Sequence, residues 1–319
     1  MRDRRFLLGS LALVLAASGF GMLGPVARLA YDAGFEPMAF VAWRGLFGLL
    51  SIAAISAVLA RRGTPFVNPF RLPRRDAIGL VVIGCAGLGV NLSTFIAFDL
   101  TTVALVLLAF YTYPALVAGV AVAHGHERLD GTRWLALGLA IGGMVLVVAG
   151  GLDPAKDGRP FNPVGVLLGL IAALSQTIFV TVSRGRFPTI PSVQAMGWVL
   201  LVIAVACFPI ALAIGNPLDV PLRGGAALGL ALLAGVLGAG IPSVLFLVGV
   251  RAIGGTRAGI LMLLEPLVGV TLAAVFLREA LAPVQIAGGT AILTAALLLQ
   301  RGGAAVGPDL VSVAVAERM

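Results

Sequence analysis

Two ionisable residues stand inside long apolar runs: Arg44, directly after Trp43, and Glu265, directly before Pro266. A charge in hydrocarbon costs several kcal/mol, roughly 2.5–3.5 on insertion scales, so residues of this kind are candidates for function by default. Glu265 lies near the middle of its run. Pro266 lacks the amide hydrogen that would complete the helical ladder, which frees a carbonyl and lets the helix open beside a cavity. A carboxylate placed there can serve as counter-ion to a substrate amine or carry a proton; the alternative is a structural Glu hydrogen-bonded to neighbouring helices. Arg44 lies about a third of the way along its run, within snorkelling reach of the interface. It reads as a substrate or ion-pair contact, or as an interfacial anchor.

Other residues at comparable depth complete a small-molecule site, an apolar wall with a few polar groups. Asn91 and Ser243 occupy matching positions in two runs and are expected to face one another, with Phe95 and Phe246 about one turn away. Ser18, Gln176 beside Ser175, and Tyr113 extend the same set of substrate-binding candidates. The plainer roles are interhelical hydrogen bonds for the polar residues and packing for the tyrosine. Pro114, Pro242 and Pro266 are positioned to break or kink helices, and Glu127 and Glu279, at helix ends, suit gating or capping.

Metal and cofactor chemistry find little support. His124 and His126 form a His-x-His with no carboxylate or cysteine cluster beside it, so no metal is expected. Cys85 and Cys207 lie in apolar runs and read as small apolar residues. The glycine-rich piece Gly235 to Gly240 lacks the strand, Lys and helix of a phosphate-binding loop, so no nucleotide and no other cofactor is expected.

The elements that must position these residues follow from composition. The chain has 319 residues, 60% hydrophobic and 11% charged, with a mean hydropathy of +1.07. A soluble domain is about 25% charged, so lipid is the solvent for most of this chain. Runs of roughly 20 apolar residues match a hydrocarbon core of about 30 Å. They predict helices near 6–30, 37–60, 76–98, 102–123, 133–150, 161–183, 193–215, 225–250, 256–277 and 281–300. The first run is too long for a cleaved signal peptide and is expected to remain as a helix. Gly138/Gly142, Gly165/Gly169, Gly225/Gly229 and Gly255/Gly259 have the small-xxx-small spacing of close helix packing.

The +8 charge is distributed as in a membrane protein, which excludes nucleic acid as the partner. Sixteen of the 22 cations fall on the side of the N-terminus and five on the other, with Arg44 inside the membrane. The positive-inside rule then places both termini in the cytoplasm with an even number of spans.

The two halves repeat. Pro114 is followed by Glu127-Arg128-Leu129 and Pro266 by Glu279-Ala280-Leu281, both pairs at an offset of 266 − 114 = 279 − 127 = 152. The same offset maps Asn91 onto Ser243 and Ala104 onto Thr256, and one of 155 maps Trp43 onto Trp198. Five helices per half is an odd number, so the second half must enter the membrane from the opposite face. Inverted repeats place a site near the midplane and permit alternating access by rocking. The expected fold is all-α integral membrane, ten transmembrane helices as two inverted five-helix repeats, residues 1–152 and 160–300, with a cytoplasmic tail over 301–319.

These residues resemble the EamA-type transporters of the drug/metabolite transporter superfamily. The resemblance rests on Ala104 through Leu108, Pro114 with Glu127-Arg128-Leu129, Leu264-Glu265-Pro266 with Leu277-Arg278-Glu279, and Arg44 after Trp43, and covers about residues 6 to 300. It implies a carrier of the bacterial inner membrane, commonly an exporter of amino acids or related metabolites, with YddG-like aromatic amino-acid exporters as the nearest group. This chain departs from the pattern where Tyr113 stands in place of an acid, and where the loop after Glu127 is about two residues longer than that after Glu279.

The leading expectation is therefore a secondary transporter, not an enzyme, moving small amphipathic metabolites, amino acids foremost, out of the cell. A proton-coupled exporter of drugs or other cations is the alternative on the same fold. An integral membrane enzyme acting on lipid phosphates would need His, Asp or Arg clustered at one membrane face, and no such cluster appears. The expected partners are a small-molecule substrate and the bilayer, with the protein a monomer or weak homo-oligomer.

Overall fold

The computed structural model describes residues 2–63, 67–68, 71–101, 103–124, 130–150, 161–184, 187, 189–276 and 282–301. The first half comprises α1 (Arg2–Gly21), α2 (Leu23–Asp32), α3 (Pro37–Arg61), α4 (Arg74–Leu100), α5 (Val103–Phe110), α6 (Tyr113–Ala123) and α7 (Gly131–Ala149). The second comprises α8 (Pro163–Ser183), α9 (Ser192–Ala213), α10 (Gly225–Gly235), α11 (Ile241–Ile253), α12 (Gly255–Met262), α13 (Leu264–Phe276) and α14 (Pro283–Arg301). A π-helical turn, Val236–Gly240, joins α10 to α11. Nine stretches among the described residues are long and apolar enough to cross a bilayer, and a shorter apolar helix, Pro283–Leu299, makes the tenth span.

Four spans are broken, each one turn before a proline. The first breaks at Met22 ahead of Pro25, the fourth at Tyr111 and Thr112 ahead of Pro114, and the ninth at Leu263 ahead of Pro266. The eighth loosens into the π turn ahead of Pro242. Proline supplies no amide for the carbonyl four residues back, here Gly21, Phe110, Met262 and Gly238, so the ladder slips there. The first span, expected near 6–30, is met by Arg4–Asp32 and comprises α1 and α2. Pro209 is the exception, since α9 runs on through it.

The packing has a two-fold pattern. The first span pairs with the eighth (α1 on α11), the third with the sixth (α4 on α8), the second with the seventh (α3 on α9), the fourth with the ninth (α6 on α12) and the fifth with the tenth (α7 on α14). Exchanging the halves, span n for span n ± 5, reproduces the same five pairs. With an odd number of spans per half, the copies are inverted.

Close glycine approaches serve only part of this packing. A Cβ on Gly143 would lie 2.6 Å from the carbonyl of Gly288, and one on Gly288 2.5 Å from that of Gly143, so α7 and α14 cross backbone to backbone. Gly165 meets Thr101, Gly169 meets Ala109, and Gly259 meets Pro114. Gly138, Gly142, Gly225 and Gly229 have nothing within 4 Å and lie on the outside of the bundle, which corrects their expected role in close helix contacts.

Candidate functional site

The helix pairs enclose a central space. One wall is α1 with α11, and the other is α4 with α8. The pair α3 and α9 closes one end by packing on α11 and α4, and the pair α6 and α12 closes the other by packing on α8 and α1. Arg44, Asn91, Phe95, Ser18, Gln176, Ser243 and Glu265 are half-buried, with Arg44 and Phe95 in the far-face third of α3 and α4.

The breaks in spans four and nine supply the first cluster. Glu265 opens α13 immediately after the break at Leu263, and its side chain is hydrogen-bonded to that of Tyr111, which sits in the break of the fourth span. Tyr111 and Tyr113 are each 2% exposed, and Tyr113 stands within electrostatic reach of Glu265. Phe110 packs against both tyrosines, with ring centroids 5.2 and 5.3 Å away. From the other side Gly21, the last residue of α1, approaches so closely that a Cβ there would lie 2.6 Å from the carbonyl of Glu265. Three helix ends thus meet at Glu265, the end of α1 at its backbone carbonyl and Tyr111 at its side chain. Tyr111 was absent from the sequence candidates because its repeat equivalent, Leu263, is apolar; its place three residues before Pro114 was the available signal.

Span two carries the second cluster. The Nη2 of Arg44 donates to Oδ1 of Asn91 at 2.6 Å, and the guanidinium lies 6.0 Å from the ring centroid of Phe95. Asn91 is itself fixed, because its Nδ2 donates to the carbonyl of Gly87 at 2.8 Å. Glu265 lies within electrostatic reach of Arg44, and no ion pair joins them. The site thus holds one acid and one base, each with a neutral hydrogen-bonding partner.

The remaining candidates are placed less centrally. Asn91 and Ser243 lie on opposite walls, and no hydrogen bond connects them. Phe246 is buried and stacks on Phe179 of α8 with centroids 6.1 Å apart, so it floors the space on the side of the N-terminus. Ser18 turns back on its own helix and donates to the carbonyl of Val14 at 2.9 Å. Gln176 lies half-buried on α8, beside Ser175, whose hydroxyl packs on Gly89. Pro242 packs against Gly19, and Pro114 and Pro266 are buried. Glu127, His126 and Glu279 lie outside the described residues. His124 is exposed, its Nδ1 3.0 Å from the carbonyl of Val120, and no group of three metal ligands occurs among the described residues.

The two faces differ. On the face where α1 begins, Arg251 at the end of α11 donates to the carbonyls of Ile190 and Phe187 at 2.9 and 3.3 Å and to Ser192 Oγ at 3.2 Å, while Thr189 donates to Asp76 at 2.5 Å. Every residue of α12 is buried, and α12 packs on α6. Towards the far face the continuations diverge in partner, α5 packing on α8 and α13 on α1. The far face is held by smaller ties, such as Trp43 Nε1 donating to the carbonyl of Leu218 at 3.0 Å. Next to it Arg223 grips Asp219 through two hydrogen bonds of 2.8 and 2.6 Å, which lowers the carboxyl pKa from its ordinary value.

Charged and polar groups thus sit within a ring of apolar helix pairs, a setting met in membrane carriers. An uncharacterized transporter of Archaeoglobus fulgidus is 27% identical over 297 residues, which span 92% of this chain and 96% of that protein. A solved crystal structure, 21% identical, superposes with a TM-score of 0.75 over 94% of this chain and 96% of that one, a likeness of fold. The model of the EamA-like transporter family matches twice, at residues 7–149 and 163–301, once on each half. The chain therefore belongs to the EamA-like transporter family, and its fold is that of a multi-pass membrane transporter of ten helices in two inverted repeats.

Proposed function

We propose that this transporter exports small amphipathic metabolites, amino acids foremost and aromatic ones among them, by alternating access. The repeats extend over residues 1–152 and 160–300, both termini face the cytoplasm, and the membrane is the bacterial inner membrane, with residues 301–319 a cytoplasmic tail. The observation that carries this reading is Glu265, a half-buried acid at mid-depth beside the break of the ninth span, reached by the hydroxyl of Tyr111 in the break of the fourth. An acid with one hydroxyl partner and no ion pair among the described residues keeps capacity for a cargo amine. The charge asymmetry supports the orientation, and the aromatic side chains around the acid support cargo with an apolar body.

The test is transport in proteoliposomes, using a panel of labelled amino acids with wild type and Glu265→Gln. The variant loses a charge-assisted contact in a low-dielectric site, and uptake is expected to fall by about tenfold or more. Wild-type rates in Glu265→Gln at every pH would remove both the counter-ion and the proton-carrier role.

A further inference from the structure

We propose that Arg44 is the anion receptor of the transport site, so that the cargo carries a carboxylate or an equivalent oxyanion gripped by its guanidinium. This deepens the transport reading above and rests on it. A guanidinium has five donors in a planar fork and loses much by leaving water unless they are used. Here the fork makes one hydrogen bond, to the neutral amide of Asn91, while Nε is buried with no hydrogen-bond partner. Among the described residues no ion pair joins Arg44 to a carboxylate. Its charge is held in place and left unneutralised, as a receptor for an anion requires.

Three further observations separate this role from an interfacial anchor. First, a snorkelling Arg sends its head outward to water, whereas this one points inward: Arg44 lies 44 − 37 = 7 residues from the far-face end of α3, and Asn91 lies 100 − 91 = 9 from that of α4, so the contact is at equal or greater depth, about 10–14 Å below the helix ends. Second, Asn91 is locked by Gly87, so Oδ1 is the atom it offers, and Phe95 stacks beside the guanidinium plane. Asn91 and Phe95 are positioning residues that aim the fork. Third, Glu265 lies within electrostatic reach of Arg44, yet its hydrogen bond is to Tyr111 and not to Arg44. An acid and a guanidinium that stay unpaired match a cargo bearing both charges, with the carboxylate on the Arg44 fork and the amine towards Glu265.

The experiment compares labelled phenylalanine, leucine and glutamine with the amines left when their carboxylates are replaced by hydrogen, in proteoliposomes holding the full chain. In wild type the amino acids are expected to be carried at least about tenfold faster than the amines. Arg44→Gln should reduce amino-acid transport by a similar factor and bring the preference for amino acid over amine towards parity, with Arg44→Lys, which keeps the charge and loses the fork, falling between. Should Arg44→Gln fail to fold, the wild-type preference and inhibition of amino-acid uptake by the free amines still decide, since strong inhibition by a carboxylate-free amine counts against the receptor. Equal transport of amino acids and amines in wild type, or an Arg44→Gln variant slowed equally for both, overturns the role of Arg44 and leaves the transport reading standing. Failure of wild type to carry any amino acid or amine overturns the transport reading and this inference with it.

Discussion

The wall formed by α1 and α11 and the wall formed by α4 and α8 are counterparts under exchange of the halves, yet their backbones differ. In the first wall both members are interrupted, at Met22 and at the Val236–Gly240 turn, whereas α4 runs whole from Arg74 to Leu100 and α8 from Pro163 to Ser183. The two interruptions also lie back to back: Gly19 packs on Pro242, and Gly238 packs on Leu23. A wall broken at one level in both helices can bend there, while a wall of continuous helices moves as a body. The unbroken wall holds Asn91 and Phe95 against Arg44, and the broken wall lies over Glu265. One architecture thus occurs twice with two backbone characters, a continuous wall and an interrupted one.

Exchanging the backbone character of the walls should have the largest effect. Val90 stands where Pro242 stands in the other half (242 − 152 = 90). Val90→Pro inside α4 is expected to cost about 3 kcal/mol or more, seen as a lower thermal midpoint in detergent. The reciprocal Pro242→Ala restores an amide and should keep the fold while slowing turnover about tenfold. A Val90→Pro variant as stable as wild type would show that continuity of α4 is not what distinguishes the walls.

The contact between the interruptions comes next. Gly19→Leu drives a side chain into Pro242 and the carbonyl of Leu237, and overpacking of this kind costs typically about 1–3 kcal/mol. Gly24→Leu, two residues past the break with nothing within 4 Å, should shift stability by less than about 0.5 kcal/mol. Equal midpoints for the two variants would deny that the breaks are packed on one another.

The smallest effect is expected at Asp219, in the link leading into the broken wall. Its folded pKa is lowered by Arg223, so any stability it lends is complete above the unfolded value, about 3.9, and is lost as pH falls through the folded value. The pair is exposed and screened by salt, so Asp219→Asn should leave the thermal midpoint at pH 7 within error. A clear drop at pH 7 that survives high salt would make this link a structural clasp.

Much of the fold was legible because lipid allows few solutions. Each predicted helix has its counterpart within a few residues, and the matched prolines at 114 and 266 marked the breaks in spans four and nine. The break at Met22 was less visible, since Pro25 has no partner at the repeat offset. Arg44 and Asn91 were each conspicuous as polar residues in apolar runs, but their hydrogen bond depends on the angle at which α3 meets α4, which no one-dimensional pattern encodes. The seal at Arg251 was hidden for the opposite reason: the residue looked like one more cation at a helix end, and only the return of the 187–192 link beneath it gives it three acceptors.

The crossing of α7 and α14 at Gly143 and Gly288 bears on the order in which the bundle is assembled. The groove in α7 is made early in synthesis, and the helix that fits it is the tenth span to emerge. Until then lipid tails must occupy the notch at Gly143, so closure of this seam is a late event, and substitutions there should impair maturation in the membrane before they impair transport.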